Sequence, residues 1–329
     1  MSKRVSVIIP CYNAGHTIGR TLESVFAQDY PDVELVVVDD GSTDDSKSII
    51  YQWMERFEER SWCLKYVHQE NQGPGAAISL GLKHITGAYL TLLDADDVFL
   101  PGSIRKRAEF LDTHPDHAGV RSNGWAERNG ERQLFINTEE EKAITDLFTT
   151  ISFGRTNNWS GTYMVRTDIL FGFYPDRNIY PSRFGQNFQI LLPVAYKRKF
   201  GYIDEPLMVY YLQVKSHSQA GSPEKQYELS SRNAEGYRDI YMHILDDLVS
   251  DPQEHQYYVN IFNSRFYRGL MERAALYNKP DDLTAGYRQL CATGWATLDD
   301  RITYYRKKNR AVVFCLRLVR KTKSLLGRR

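Results

Sequence analysis

Four short, mainly apolar runs alternate with amphipathic segments over the first hundred residues of the chain. The runs have the length and composition of buried β-strands and occupy residues 5–9, 34–38, 64–68 and 89–93. Between them, the spacing of apolar residues predicts helices that begin near Ile18, near Ser42 and at Gly75. This βαβαβαβ order predicts an α/β fold with a mostly parallel sheet, right-handed crossovers and helices on both faces.

The pattern changes twice further along the chain. Turns and aromatic residues are frequent from residue 118 to about 218, and long amphipathic helical stretches begin near Pro223. We therefore predict a first domain over residues 1–220, divided near residue 118, and a helical C-terminal region over residues 221–329.

Composition narrows the class of protein. The 329 residues are 42% apolar and 25% charged with a formal net charge of +1, which is typical of a soluble globular protein and gives no support for nucleic-acid binding. The four cysteines lack metal or redox spacing, and no signal peptide or 18-residue apolar span is present. We therefore predict a cytoplasmic protein.

Polar segments follow three of the predicted strands. "PCYN" follows the first strand, "DDGSTD" the second and "DADD" the fourth. Because ligands bind beyond the carboxyl ends of strands in open sheets of this type, these loops should meet at one ligand-binding edge.

The "DADD" segment concentrates negative charge at the end of an apolar strand. Two carboxylates about 4 Å apart repel by roughly 4 kcal/mol at an effective dielectric of about 20, so a positive partner is expected. Asp94 and Asp96 suit Mg²⁺ or Mn²⁺ held together with substrate phosphates, and Asp97 suits a supporting or capping role. The alternative is a group of solvated acids that caps a helix near Ser103.

Three motifs in order, "VSVIIPCYNAGHTIGRTLESVFAQDYPDVELVVVDDGSTDDS", "ENQGPGAA" and "LLDADD", resemble glycosyltransferase family 2, which has the GT-A fold. The resemblance covers roughly residues 3–215. It implies a Rossmann-like GT-A domain with a donor half (1–117) and an acceptor half (118–220), a nucleotide-sugar donor that is usually a UDP-sugar, a divalent metal, and inversion at the anomeric carbon. The implied activity is transfer of the sugar to a hydroxyl of a glycan or lipid-linked acceptor in surface polysaccharide synthesis.

The resemblance also implies roles for individual residues. Pro10 and Tyr12 lie where the family backs and stacks the base, and Asp40 where it accepts a hydrogen bond from the uracil imide. Asp94 would contact the ribose or sugar, and Asp96 the metal. The complete predicted set of nucleotide-binding residues is Pro10, Tyr12, Asn13, Asp40, Asn71, Gly73, Asp94 and Ala95.

Two departures from the family pattern stand out. Ile78 and Ser79 occupy the positions of a common Arg-Asn pair in the helix after the glycine loop, so a cationic contact is missing there. Gln186 and Asn187 replace a Glu-Asp pair whose aspartate is the family's general base, and an amide cannot accept a proton at neutral pH.

Three interpretations of the second departure stay open. Asp176 could serve as the base, Gln186 and Asn187 could act by positioning alone, or the chain could bind a sugar nucleotide without turning it over. Gln186, Asn187 and Asp176 are therefore the predicted catalytic residues.

The acceptor side is less distinctive. We predict that Trp159, Arg183 and Gln189 line the acceptor pocket, although Trp159 suits the core and Gln189 a solvent-facing helix start almost equally well. His217, in "SHSQ", is a second predicted metal ligand, and the alternative is a solvated loop histidine.

Beyond Asp300 the chain is rich in Lys and Arg, contains no acid and interleaves these cations with apolar residues. This mixture favours an amphipathic helix on the anionic inner face of a membrane. A solvated helix, or a helix that pairs with another subunit in an oligomer, is the alternative.

Two other functions fit parts of the sequence. A sugar-phosphate nucleotidylyltransferase shares the sheet and an acidic metal site, but "PCYNAGHTIGR" lacks the glycine-rich loop with a nearby basic residue that such an enzyme needs. A scaffold protein that binds a sugar nucleotide has support from the amides at 186 and 187 alone.

Overall fold

The structure, a computed structural model, describes residues 2–156, 159–212 and 222–308. The chain divides into two compact units. The first is Met1–Val214 with Asp239–Ser250, and the second is Lys215–Arg238 with Asp251–Arg329.

The first unit is built on one sheet, which has nine strands in the described part of the chain. In chain order the strands are β1 (Val5–Cys11), β2 (Val33–Asp39), β3 (Cys63–His68), β4 (Tyr89–Leu92), β5 (Val98–Phe99), β6 (His117–Arg128), β7 (Glu131–Leu134), β8 (Tyr163–Arg166) and β9 (Lys199–Tyr211). Their order across the sheet is β3-β2-β1-β4-β8-β6-β9-β5, and β7 pairs with β6.

The helices follow the strands in the alternation that the sequence predicts. In chain order they are α1 (Ile18–Phe26), α2 (Ser46–Glu59), α3 (Pro74–Leu82), α4 (Ser103–Thr113), α5 (Glu139–Lys142), α6 (Leu147–Phe153), α7 (Thr167–Phe173), α8 (Gln186–Ala195), α9 (Pro223–Leu248), α10 (Pro252–Leu276), α11 (Pro280–Ala292) and α12 (Leu298–Lys308).

The four strands β3, β2, β1 and β4 pair in parallel and form the half of the sheet that the sequence predicts. Every residue of β2 is buried, as expected for a central parallel strand covered on both faces. The register places Cys11 at the end of β1 opposite Asp39 at the end of β2. The loops that leave these strands therefore begin side by side.

The other half of the sheet is mixed. The strand β8 runs antiparallel to both β4 and β6, whereas β9 runs parallel to β6 and antiparallel to β5. Since β5 directly follows the "DADD" turn and pairs Val98 with Val209, the end of β9 lies beside that turn. The α/β prediction is confirmed, with antiparallel pairing confined to the half that the alternating pattern did not cover.

The second helix begins later than the sequence pattern predicts, at Ser46 instead of near Ser42. The backbone N–H of Ser42 donates to Asp39 Oδ1 at 2.8 Å, and that of Thr43 donates to Asn13 Oδ1 at 2.8 Å. These two side-chain bonds hold residues 42 and 43 in a turn, and the helix therefore begins only after them.

The second unit is helical in its described residues. The helices α10, α11 and α12 pack around a core of Met271, Ala274, Leu283, Leu290 and Tyr304. Arg268 donates from Nε and Nη2 to the Asp300 carboxylate at 2.9–3.1 Å, which ties α10 to α12. No described helix combines the length and apolar character that a membrane crossing requires. Residues 309–329, the larger part of the basic tail, lie outside the described residues.

Candidate active site

A cavity of about 550 Å³ opens at the carboxyl edge of the parallel strands. Eleven of the predicted site residues line it together: Pro10, Tyr12, Asn13, Asp40, Asn71, Gly73, Asp94, Ala95, Asp96, Arg183 and Gln186. The remaining lining residues are Cys11, Ala14, Thr17, Pro74 and Tyr210. The convergence expected from the three strand-end loops is therefore present.

The loop after β1 presents an aromatic ring to the cavity. Tyr12 is 53% exposed, so its ring is not a core residue and its face is available for stacking. Asn13 has a positive φ of 49°, and its backbone N–H donates to Ser42 Oγ at 3.0 Å. The two loops after β1 and β2 thus brace each other beside the tyrosine.

Asp40, just beyond β2, is buried and organises the loop that precedes α3. Its Oδ1 accepts hydrogen bonds from Gln69 Nε2 at 2.7 Å and from the Gln72 N–H at 2.9 Å, and its Oδ2 accepts one from the Gly73 N–H at 2.8 Å. A carboxylate has about four acceptor positions, so one remains for an N–H of a ligand in the cavity.

Two glycines of the "NQGPGAA" segment allow a close backbone approach. Gly73 has φ +95°, and a Cβ there would lie 2.8 Å from Cγ of Arg183. A Cβ on Gly75 would lie 2.4 Å from the Ser182 carbonyl oxygen. The segment before α8 therefore packs directly on the start of α3, where Arg183 Nη2 donates to Asn71 Oδ1 at 3.0 Å.

The "DADD" turn carries two carboxylates into the cavity and buries the third. Burial raises the pKa of Asp94 to about 6, against a hydrogen bond from Ser160 and with added repulsion from Asp96. Asp97 is buried away from the cavity and accepts from the Tyr211 N–H at 3.0 Å. Burial, together with repulsion from Asp94, raises the pKa of Asp97 to about 9.

Polar groups of α1 fix the backbone of this turn from behind. Arg20 Nη2 donates to the Asp96 carbonyl at 2.6 Å, and its guanidinium lies 3.8 Å from the ring centre of Tyr211. Thr21 Oγ1 is 3.0 Å from the Ala95 carbonyl oxygen and 2.8 Å from that of Asp97. These contacts hold the backbone of the turn. The orientation of each carboxylate is set separately, by the groups that contact its side chain.

The two amides at the start of α8 have different surroundings. Gln186 lines the cavity, and its side chain makes no hydrogen bond to any described residue. Asn187 does not line the cavity; its Oδ1 accepts from the Tyr163 hydroxyl at 2.7 Å and lies 3.2 Å from Ser160 Oγ. Because Ser160 also contacts Asp94, Asn187 supports the base of the turn.

Three more predicted residues lie off the cavity lining. Asp176 is exposed and accepts from Asn178 Nδ2 at 2.8 Å, which lowers the pKa of its carboxyl. Gln189 is fully buried and bonds the backbone N–H and carbonyl of Tyr180 at 2.7 and 2.9 Å. Trp159 packs against the core and stacks on Tyr210, with ring centres 5.2 Å apart. His217 lies outside the described residues.

Tyr210 lines the cavity although no local sequence pattern marks it as a site residue. It lies near the end of β9, far along the chain from the strand-end motifs, in the run "VYYL". The pairing of β5 with β9 brings it beside the "DADD" turn, and that pairing leaves no local signal in the sequence.

The donor set suits a divalent cation only if a ligand completes it. The described residues contain no group of three His, Cys, Asp or Glu side chains that could hold a metal by themselves. Asp94 and Asp96 provide hard oxygen atoms on one turn, which is the arrangement in which Mg²⁺ or Mn²⁺ binds through one or two carboxylates and substrate phosphates.

Solved structures share this fold at low sequence identity. Staphylococcus aureus TarS, residues 1–349 in complex with UDP-GlcNAc, superposes with a TM-score of 0.61 at 21% identity, covering 93% of this chain and 90% of that one. The mannosyltransferase PcManGT from Pyrobaculum calidifontis, in complex with GDP-Man and Mn²⁺, superposes with a TM-score of 0.52 at 18% identity, covering 94% and 87%. These similarities establish the glycosyltransferase GT-A architecture.

Curated relatives match over a shorter stretch. An uncharacterized glycosyltransferase of Nostoc sp. is 40% identical over 117 residues, which is 36% of this chain and 35% of that protein. The glycosyltransferase GlyA of Streptococcus pneumoniae is 39% identical over 94 residues, 29% of this chain and 13% of GlyA. The alignments thus span about a third of the Nostoc protein and a small part of GlyA.

The family model of glycosyl transferase family 2 matches residues 6–172, which is half of the chain and includes all three strand-end loops. The matched region contains the aromatic ring after β1, the carboxylate after β2 and the aspartate turn after β4, all of which meet in the cavity. This protein belongs to glycosyltransferase family 2.

Proposed function

We propose that the chain transfers a sugar from a UDP-sugar to a hydroxyl of a glycan or lipid-linked acceptor, with inversion and with Mn²⁺ or Mg²⁺, in surface polysaccharide synthesis. The observation that carries the proposal is the cavity at the carboxyl edge of the sheet, where Tyr12, Asp40 and the Asp94–Asp96 pair face one volume. Family membership and the UDP-GlcNAc bound to TarS support the choice of donor.

The nucleotide base would occupy the part of the cavity between Tyr12 and Asp40. The exposed ring of Tyr12 offers a stacking face, which contributes about 1–3 kcal/mol per base in single-stranded nucleic-acid complexes. The remaining acceptor position of Asp40 suits the N–H of a uracil imide. An ionised carboxylate cannot hydrogen-bond to a base edge that carries only acceptors, because it has no donor.

The diphosphate would lie toward the "DADD" turn. A bound Mn²⁺ or Mg²⁺ there would offset the negative charge that develops on the departing diphosphate. Asp96 would hold this ion and Asp94 would contact the sugar or ribose. Ser160, which lies against Asn187, contacts Asp94, and Arg20 holds the main chain of the turn through the Asp96 carbonyl.

The acceptor hydroxyl would approach past Gln186. Its amide, which bonds no other described residue, lines the cavity and can orient a sugar hydroxyl as donor or acceptor, while Asn187 contacts Tyr163 and Ser160. In this proposal Gln186 acts by positioning, which can contribute a large part of a rate enhancement when the reacting atoms are held in line.

A donor screen tests the activity. UDP release from a panel of UDP-sugars should need Mn²⁺ or Mg²⁺ and should stop when the metal is chelated. Gln186→Ala should slow transfer to an acceptor far more than it slows donor hydrolysis by water, because only transfer needs the acceptor positioned. Equal effects on both rates would contradict the role given to Gln186.

One other function has a specific observation behind it. The amides at 186 and 187 leave the usual base position without a carboxylate, which suits a scaffold that binds a sugar nucleotide without turning it over. Tight UDP binding without hydrolysis or transfer across a broad acceptor panel would select this function over the enzyme.

We also propose that the protein works at the cytoplasmic face of a membrane, to which the basic tail binds peripherally. Tyr304 packs in the core of the second unit, so a truncation that spares the fold should end at Lys308. Flotation with anionic liposomes should recover the full chain but not the chain that ends at Lys308. Equal recovery would remove the membrane contact from the proposal.

A further inference from the structure

The charges that face the cavity are unbalanced. Three carboxylates, those of Asp40, Asp94 and Asp96, line it, and Arg183 is the single Lys or Arg side chain among the described residues of the lining. The lining therefore has a formal charge of −2 before any metal binds. Among the described lining residues, Arg183 is therefore the one side-chain cation that a diphosphate entering this cavity would meet.

Arg183 forms no salt bridge with a described acidic residue. No described carboxylate forms an ion pair with it, and its hydrogen bond within the described residues goes to the neutral Asn71 Oδ1 at 3.0 Å. A guanidinium has five N–H donors in a planar fork, so four remain after this bond. That fork matches the oxygens of a phosphate group better than it matches a single sugar hydroxyl.

Close packing of the backbone at Ser182 and Arg183 against two glycines places Arg183 beside the cavity. Gly73 and Gly75 leave room for Arg183 and Ser182 to pack against the start of α3, where a side chain on either glycine would collide. Gly73 and Pro74, the N-cap and first residue of α3, line the same cavity. The positive end of this helix dipole therefore lies on the same side as the guanidinium.

The helix α3 itself supplies no cationic side chain to the cavity. Ile78 is fully buried in the core. Ser79 faces the segment before α8, where its Oγ accepts from the Ile179 N–H at 2.9 Å. The two positions of the missing Arg-Asn pair are thus used for core packing by Ile78 and for a backbone hydrogen bond by Ser79.

We propose that Arg183 binds the donor diphosphate, and that the segment before α8 thereby supplies the cationic contact that α3 lacks. The inference rests on the proposed function and changes the assignment of Arg183 from the acceptor to the donor. Because Gln186 follows three residues later, the same segment contacts the donor phosphates and the acceptor, so donor binding fixes the residue that positions the acceptor.

The test compares ligands with and without phosphates. UDP binding to Arg183→Ala is measured by calorimetry at saturating Mn²⁺, and uridine binding by ligand-observed NMR. We expect UDP affinity to fall roughly 10- to 100-fold, as for loss of hydrogen bonds to a charged group, with uridine affinity unchanged. Arg183→Lys, which keeps the charge and loses the fork, should lose roughly 3- to 10-fold.

The controls separate the possible failures. Lys83→Ala removes a positive charge at the exposed far end of α3 and should leave UDP affinity unchanged. Unchanged UDP affinity in Arg183→Ala with a raised KM for the acceptor would overturn the inference and return Arg183 to the acceptor side. Equal losses for UDP and uridine would assign Arg183 a structural role. If the unaltered chain binds neither ligand, the proposed function fails, and the inference fails with it.

Discussion

The cavity has two walls that the chain builds in different ways. The first, which we name the donor wall after the proposed donor, comprises the lining residues at or just beyond the ends of β1, β2 and β4, namely residues 10–14, 17, 40 and 94–96. The second, which we name the acceptor wall after the proposed acceptor, is the segment of residues 176–189, which leads into the first turn of α8 and reaches the cavity at Arg183 and Gln186. Side chains of the donor wall are held by bonds between neighbouring strand ends, whereas the acceptor wall packs on the glycines of α3.

The two walls differ in whether a residue's role can be predicted from its neighbours in the sequence. On the donor wall, each predicted site residue is held by a loop whose position follows from one strand and its parallel neighbour. On the acceptor wall, the bond between Arg183 and Asn71 joins residues 112 positions apart. A role that depends on such a distant partner cannot be recognised from the residues around it.

The largest effect should come from the donor wall. Asp96→Asn removes a carboxylate from the proposed metal site, so the charge on the departing diphosphate loses its support and UDP release should fall roughly 100- to 1000-fold. The rate is measured at saturating Mn²⁺. Glu55→Gln, an exposed acid on α2, is the matched control and should keep the full rate.

The acceptor wall should show its largest effect in stability. Gln189→Met leaves the N–H and carbonyl of Tyr180 without partners in a buried place, which should lower the free energy of unfolding by about 2–3 kcal/mol. Urea denaturation measures the change. Gln133→Met, at an exposed position on β7, should cost less than about 0.5 kcal/mol, and an equally small loss for Gln189→Met would contradict the structural role.

Stacking on the donor wall should have an intermediate effect. Tyr12→Ala should weaken UDP binding by about 1–3 kcal/mol, whereas Tyr12→Phe keeps the ring and should bind normally. Calorimetry with UDP measures both variants. Tyr257→Ala removes an exposed tyrosine of the helical unit as a control, and a comparable loss there would show that the assay does not report the cavity.

The smallest effect is expected at Asp176 on the acceptor wall. Its carboxylate is exposed, bonded to Asn178 and absent from the cavity lining, so Asp176→Asn should change kcat less than about threefold. A general base would instead contribute roughly 100- to 10,000-fold. A loss of that size would establish Asp176 as the base and would require the segment to move toward the acceptor.

The sequence predicted the parallel half of the fold well because its signals are short-range. A β-branched run that ends in Pro10 or Asp40 specifies both a strand and the edge at which its loop emerges. The mixed half of the sheet was harder to predict, because the pairing of β5 with β9 joins strands about a hundred residues apart in the sequence. Tyr210 was missed for this reason.

The predicted acceptor residues illustrate the same limit. The sequence predicted Trp159, Arg183 and Gln189 in one acceptor pocket, Trp159 because its ring can stack on a sugar and the other two because they flank Gln186 and Asn187. In the structure, Trp159 stacks on Tyr210, Gln189 bonds Tyr180, and Arg183 lies beside the donor loop. Residue type indicated polar or aromatic chemistry, but burial and partners decided which of these groups reach the cavity.

The contact of Ser182 and Arg183 with two glycines suggests how acceptor specificity could be transferred from one family member to another. Because Gly73 and Gly75 carry no side chain where this segment packs on them, a transplanted stretch from another protein can dock there if its own backbone keeps the same path. Chimaeras that exchange residues 176–189 while retaining Gly73, Gly75 and Arg183 should therefore accept foreign hydroxyl substrates without losing their nucleotide, whereas an alanine at Gly75 should prevent any such graft from seating.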